Sequence, residues 1–189
     1  ARAAFNRSSE LIVRDLTATE IEQYAERIQA LYDNVHEKAD FKIGHLNVAL
    51  FACMKREMSA KLIFRSYWEQ ERMIGFSIAL DSDQGLEAFV VGIDYRVNTQ
   101  FALYSRMLYD YISIAIERKK HRIVFGRTAG EIKSTVGAFP VDLRCCIRHP
   151  GRISNVFLSL IFKYVEPTPF PIRHPYKETT LLAIKHHTF

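Results

Sequence analysis

Three strand-like runs with almost nothing between them constrain this chain more than any other feature. Lys61–Glu69 (KLIFRSYWE) and Arg72–Leu80 (RMIGFSIAL) flank Gln70-Glu71, and Leu86–Ile93 (LEAFVVGI) follows the turn cluster Asp81-Ser82-Asp83-Gln84-Gly85. Connections this short join antiparallel neighbours. Leu86–Ile93 is apolar nearly throughout, which predicts a strand buried on both faces at the centre of a sheet. Helical spacings surround this set. Glu10–Asp15 (ELIVRD) reads as a first strand. Thr17 and Glu20 form a capping box, and Ile21, Tyr24, Ile28, Leu31 and Val35 then predict a helix to about His36. Leu46–Met58 reads as a second helix. After the three strands, Leu103, Met107, Leu108, Tyr111, Ile114 and Ala115 predict a helix within Gln100–Lys119. Arg122–Phe125 reads as a short strand, Ala129–Val136 as a short helix ending at Gly137, and Asp142–Arg148 as a strand. An apolar helix over Ser154–Val165, a Pro-rich stretch and a last strand at Thr179–Lys185 complete the expectation. The order defines an α/β (α+β) protein with a mixed, mostly antiparallel central sheet flanked by helices.

The 189 residues predict one domain over 1–189, with a core at about 10–148 and a tail over 149–189. With 48% apolar and 25% charged residues, wholesale disorder and coiled coil are excluded. No run of about 18 uncharged apolar residues exists to span a membrane. Ala1–Glu10 lacks an apolar run, so no signal peptide is expected. Cys53, Cys145 and Cys146 give an odd count with two neighbours, which points to a reducing, cytoplasmic compartment. Charge is uneven. Residues 1–117 carry 13 Lys+Arg and 17 Asp+Glu, a balance of −4, and residues 118–189 carry 13 and 4, a balance of +9. The basic end suits phosphates of a cofactor, tRNA or a lipid headgroup, and equally suits a solvated surface. The scattered histidines give no metal pattern. Ser154–Val165, flanked by Arg148, Arg152, Lys163 and Arg173, suits either packing on a domain or the inner membrane surface.

Arg72–Phe76 (RMIGF), Ala88–Tyr95 (AFVVGIDY) and Phe125–Pro140 (FGRTAGEIKSTVGAFP) resemble segments of the Gcn5-related N-acetyltransferase (GNAT) family. The element order over about Glu10–Arg148 resembles it too. The narrower likeness is to the bacterial branch related to Fem-type peptidoglycan aminoacyltransferases, which carry two such domains in tandem. The resemblance implies an N-acyltransferase moving an acyl or aminoacyl group from acetyl-CoA, another acyl-CoA or an aminoacyl-tRNA to an amine of a small molecule, a peptide or a cell-wall precursor. It also implies a second GNAT domain or a homodimer as partner, this chain then being the C-terminal half of a longer tandem protein.

On that resemblance, Val90, Val91, Gly92 and Ile93 hold the donor through backbone bonds where the sheet splays. The donor pyrophosphate belongs at the start of the next helix. The family's glycines are missing there: the chain reads Tyr95-Arg96-Val97-Asn98-Thr99-Gln100-Phe101, with Arg96 as a candidate clamp. Arg127, at the end of an apolar strand, is placed to bind an anion or to pair with Glu131 or Asp94. Thr128 caps the short helix with Glu131 three residues on, and is a donor-site candidate. The family's proton-donating tyrosine, four residues before a glycine, is replaced by Lys133. Asp94 and Glu131 are the candidate bases, with helix capping as the other role for Asp94, and Tyr104 lines the pocket. The absent glycines and tyrosine also suit a GNAT-like half-domain that binds without catalysing, and the basic end suits an RNA- or membrane-surface binder.

Overall fold

The computed structural model describes residues 1–39, 42, 44–141, 148, 150–151, 171–173 and 175. The elements expected at Asp142–Arg148, Ser154–Val165 and Thr179–Lys185, and Cys145 and Cys146 with them, lie outside the described residues, Arg148 excepted. The chain divides into two compact units, Ala1–Arg127 and Thr128–Phe189.

Five strands lie side by side in chain order in the first unit: β1 (Ile12–Asp15), β2 (Leu62–Glu69), β3 (Arg72–Ser82), β4 (Gly85–Ile93) and β5 (Ile123–Val124). β1 to β4 are antiparallel, and β5 joins β4 in parallel. The β2–β3 turn closes through Gln70 at φ +54°. β4 begins at Gly85, whose φ of +138° lies where side chains are strained, and a Cβ there would stand 2.6 Å from the Arg122 carbonyl oxygen.

Helices cover both faces. α1 (Arg2–Arg7) precedes β1, and α2 (Ala18–Gln23), α3 (Ala25–Glu37) and α4 (Val48–Met58) lie between β1 and β2. The capping box forms as read: Glu20 N–H donates to Thr17 Oγ1, and Thr17 N–H donates to the Glu20 carboxylate at 2.8 Å. The single helix expected as far as His36 breaks at Tyr24 into α2 and α3. Ile21, Ile28, Leu31 and Phe51 from these helices meet Phe64, Phe76 and Ile78 from β2 and β3 on one face.

The helix expected at Gln100–Lys119 begins earlier and is split. α5 (Tyr95–Phe101) ends at Ala102, which is left-handed at φ +48°, and α6 (Leu103–Glu117) starts there. Phe101, Leu103 and Met107 pack on Tyr67, Ile74 and Ile93, and Tyr111, Ile114 and Ala115 on Ile63, Ala79 and Leu86, filling the other face. A polar network runs beneath α6. Tyr67 donates to Asp110 Oδ2 at 2.9 Å, Arg106 pairs with the same carboxylate, and its Nη1 reaches Ser8 Oγ at 3.0 Å.

β4 departs from the expected fully buried central strand. Glu87 and Phe89 are exposed, Phe89 by 42%. β3 runs along the whole of β4, but β5 pairs only at Leu86 and Glu87. The register with β3 also slips between Ile78 and Ala79, so that Phe89 is a bulged residue with no partner.

Candidate active site

The short β5 leaves one edge of β4 open. Asp94 N–H donates to the Ile74 carbonyl at 2.8 Å, so even-numbered residues at this end of β4 turn their backbone groups toward β3. Val90 and Gly92 therefore complete the β3 ladder, while Val91 and Ile93 point the other way. Asn34, from α3, occupies part of that side by donating its Nδ2 to the Ile93 carbonyl at 3.1 Å. The Val91 backbone is left as an open donor and acceptor pair among the described residues. Of the four residues expected to present backbone groups, Val91 and Ile93 face outward and Val90 and Gly92 do not.

Gly92 serves packing. A Cβ there would stand 2.1 Å from Phe76 Cε1, so the glycine makes room for a fully buried ring.

Tyr104 lies on the α6 side of the sheet beside the Val91–Ile93 segment. Burial pushes its hydroxyl up to about 12, with Tyr95 adding to the effect. The hydroxyl has no hydrogen-bond partner among the described residues, so it is free to donate to a ligand. Tyr95 carries the Lys38 ammonium 3.8 Å from its ring centre.

Asp94, read first as a base, is a cap and an ion hub. Oδ1 accepts from the Arg96 backbone N–H at 3.2 Å and from Arg96 Nε at 2.9 Å. Oδ2 accepts from Arg96 Nη2 and Arg72 Nη2, both at 2.8 Å, and from Arg27 Nη2 at 3.0 Å. The side chain is 2% exposed. The Arg96 guanidinium, then Arg27 and the Arg96 N–H, outweigh burial and hold this carboxyl well below the usual carboxylate range. An acid that holds its proton so weakly is a poor proton acceptor near neutral pH, which corrects its assignment as base.

Arg96, read as a phosphate clamp, is engaged by Asp94 and still 76% exposed. Its outer guanidinium edge and that of half-exposed Arg72 face solvent. Sequence reading missed Arg27, Arg72 and Asn34. Arg27 and Arg72 stand 67 and 22 residues from Asp94, and no local pattern links them.

Arg127 is exposed and forms neither expected pair, because Asp94 is taken by the three arginines. In the second unit, α7 (Gly130–Ser134) starts from Ala129, left-handed at φ +55°, with no side-chain cap. The capping box expected from Thr128 and Glu131 is therefore absent. Glu131 instead binds Arg173 Nη2 at 2.6 Å. Lys133 is buried and donates its Nζ to the Thr128 carbonyl. Burial lowers its ammonium to about 8.

A bulged β4 with an open edge, three antiparallel neighbours before it and a helical crossover to a parallel β5 make up the GNAT acetyltransferase fold. Comparison with solved structures agrees. An acetyltransferase of Trypanosoma brucei matches with a TM-score of 0.53 at 13% identity, over 74% of this chain and 99% of that one. A GNAT family acetyltransferase of Staphylococcus aureus gives 0.52 at 11%, over 74% and 99%. An integron cassette protein from the mobile metagenome of V. cholerae gives 0.53 at 10%, over 79% and 98%. Identities this low establish the fold alone. No family model and no curated protein sequence matches the chain.

Tested against a coenzyme A thioester, the donor expected from the resemblance, the residues fit in part. The open Val91 backbone and the unbonded Tyr104 hydroxyl suit the amides of a pantetheine arm. The start of α5 does not suit a diphosphate, because the Asp94 carboxylate already fills the Arg96 N–H. Among the described residues no group of acids, histidines or cysteines could hold a metal, and no helix is long and apolar enough to cross a membrane.

Proposed function

We propose that this chain is an N-acyltransferase that takes an acyl group from a pantetheine thioester, with acetyl-CoA as the test donor, and gives it to an amine of a small molecule or peptide. The open edge of β4 at Val91 carries this reading. Its N–H and C=O point away from β3, and β5 has already ended, so an amide-bearing arm is received as a strand would be. Tyr104 would donate to the arm. Arg72 and Arg96, rather than the start of α5, would meet phosphate, since Asp94 fixes both guanidinium groups and leaves outer N–H groups free. Arg127, exposed and without an ion pair among the described residues, offers a further cation, and Thr128 keeps its place as a donor-site candidate. The bound thioester supplies an activated acyl carbon. Lys133, in the second unit, keeps its place as the candidate proton donor that the resemblance names. Glu131 is the weaker candidate for any proton-accepting role, because Arg173 holds it.

A cytoplasmic location belongs to this proposal, as do the Fem-type features: an aminoacyl-tRNA donor, a cell-wall precursor as acceptor, and a tandem GNAT domain or homodimer. None of the superposed structures is described as Fem-type.

The test is calorimetric binding of acetyl-CoA to the wild type, Val91→Pro and Arg127→Ala. Proline at Val91 removes an N–H that pairs with nothing on β3, so the ladder is spared. Loss of affinity of about tenfold or more in Val91→Pro, with an unchanged melting temperature, is the expected result. An unchanged affinity for acetyl-CoA in that variant would refute the edge as the donor site. A second reading is a GNAT-like half-domain without catalysis, favoured by the Asp94 cap standing where the family keeps its glycine loop. Wild-type protein that binds no acetyl-CoA would favour it.

A further inference from the structure

With Asp94 held as an anion, the acyltransfer reading needs another group to take the proton of the acceptor amine. One side-chain cluster outside the site described above has the geometry for it. His45, in the segment before α4, places Nε2 2.7 Å from Asp33 Oδ1 on α3. Gln29 Nε2 donates to the same oxygen at 2.9 Å, which fixes the carboxylate. Burial raises the Asp33 carboxyl, but the bonds from Gln29 and His45 outweigh it and leave it below its usual range. A carboxylate only accepts, so the neutral imidazole keeps its hydrogen on Nε2 and bares the lone pair on Nδ1. The segment is pinned just after the ring's own residue. Leu46 N–H donates to the Tyr32 hydroxyl at 3.2 Å, Val48 N–H donates to Gln29 Oε1 at 2.9 Å, and Gln29 Nε2 also reaches the Leu46 carbonyl. The His45 ring meets Tyr32 at 5.4 Å and His36 at 5.1 Å between ring centres, and its side chain is still 54% exposed.

The position follows from α3. One flank of that helix lies over the C-terminal end of β4: Arg27 reaches Asp94, Asn34 reaches Ile93, and Lys38 reaches Tyr95. Its buried stripe, Ile28, Leu31 and Tyr32, packs with Val90 and Phe76. At about 100° per residue, Gln29, Asp33 and His36 occupy the flank opposite Arg27 and Asn34. Gln29 and Asp33 on that flank hold the segment before α4 through Leu46, Val48 and His45.

We infer that His45, oriented by Asp33, is the general base that removes the proton from the acceptor amine. The inference rests on the acyltransfer reading above. One proton leaves the amine nitrogen for His45 Nδ1. The nitrogen–carbon bond forms, the carbon–sulfur bond breaks, and the sulfur takes up one proton. An amine and a thioester thus become an amide and a thiol with no net change in protons. His45 is the catalytic residue and Asp33 a positioning residue. The groups facing the His45 ring are Asp33, His36 and the Tyr32 ring, all on α3.

The experiment follows acetyl transfer from acetyl-CoA to spermidine, lysine and 2-phenylethylamine between pH 5.5 and 9. It adds nitrogen-detected NMR of the histidine tautomers in the free protein. His45→Gln should lower kcat/KM by about 100-fold and abolish the acid limb of the profile. Asp33→Asn should lower kcat by about tenfold with KM unchanged, and should relax His45 from the Nε2–H tautomer to a mixture. A His45→Gln protein that keeps the wild-type rate and acid limb overturns the inference, and so does a free wild-type protein whose His45 carries its hydrogen on Nδ1. In both cases the acyltransfer reading survives. Wild-type protein that acetylates none of the three amines removes that reading and this inference with it.

Discussion

Replacing Asp94 with alanine tests the arginine hub directly. The carboxylate is almost wholly out of water and accepts five hydrogen bonds from three guanidinium groups and one backbone N–H. Removing it deletes the cap of α5, worth about 1 kcal/mol, and leaves three cations facing one another without their anion. Breaking one side of a buried ion pair typically costs about 3–5 kcal/mol, and the partial exposure of Arg72 and Arg96 argues for the lower half of that range. At about 2–4 °C per kcal/mol for a chain of this size, the melting temperature should fall by roughly 6–16 °C at pH 7. The pH dependence has a definite sign. The folded carboxyl lies below its unfolded value of about 3.9, so its contribution is complete above that pH and is lost as pH falls through the folded value. Urea unfolding of wild type and Asp94→Ala at pH 7 and pH 3 should therefore show a smaller gap at the lower pH. A gap below 1 kcal/mol at pH 7, or one that widens on acidification, would refute the hub as a stabilising element.

Gly92→Ala should cost about 3 kcal/mol by urea unfolding, because its Cβ meets the Phe76 ring and Phe76 is itself stacked on Phe64 at 5.0 Å. Tyr67→Phe should cost about 1–2 kcal/mol in the same assay, since one buried hydroxyl bond is lost while Arg106 still satisfies Asp110. Thr17→Ala should cost about 1 kcal/mol through the lost cap of α2, seen as a small drop in melting temperature. Lys133→Met should be more stable than wild type at pH 7, and the difference should shrink between about pH 8 and 10.5, where the folded lysine is neutral and the unfolded one is still charged. A difference that is flat over that interval would show that the lysine is not desolvated.

What the sequence made legible was local. The three strands carry their own turns, Thr17 and Glu20 lie within one helical turn, and the stripe from Leu103 to Ala115 has a clear period. The fold class follows from the order of such segments. What escaped reading depends on separation or on partner geometry. Leu86–Ile93 is apolar enough for a doubly covered strand, but β5 pairs with it at two residues and a bulge turns Phe89 outward. Neither fact is written in the strand itself. Tyr95–Phe101 looked like a loop because no apolar stripe marks it, yet Asp94 caps it and Ala102 ends it without a glycine. Asp94 showed the cap in its own sequence, whereas the charges that silence it as a base come from α3 and β3. His45 stood as one of several scattered histidines until Asp33, 12 residues earlier, was seen to face it.

The open side of β4 has a consequence for solubility as well as for binding. An unpaired strand edge is a template on which a second copy of the chain can add a strand, the usual first step to aggregation. Here the pairable length is cut to almost nothing. Leu86 is already bonded to β5 through its N–H to the Arg122 carbonyl, the bulge at Phe89 breaks the repeat, and Asn34 plugs the Ile93 carbonyl. Among the described residues Val91 is left open, enough to greet one amide of a small molecule and too short to seat another strand. Asn34→Ala lengthens that edge by one carbonyl, and such a protein should precipitate sooner on concentration than its parent.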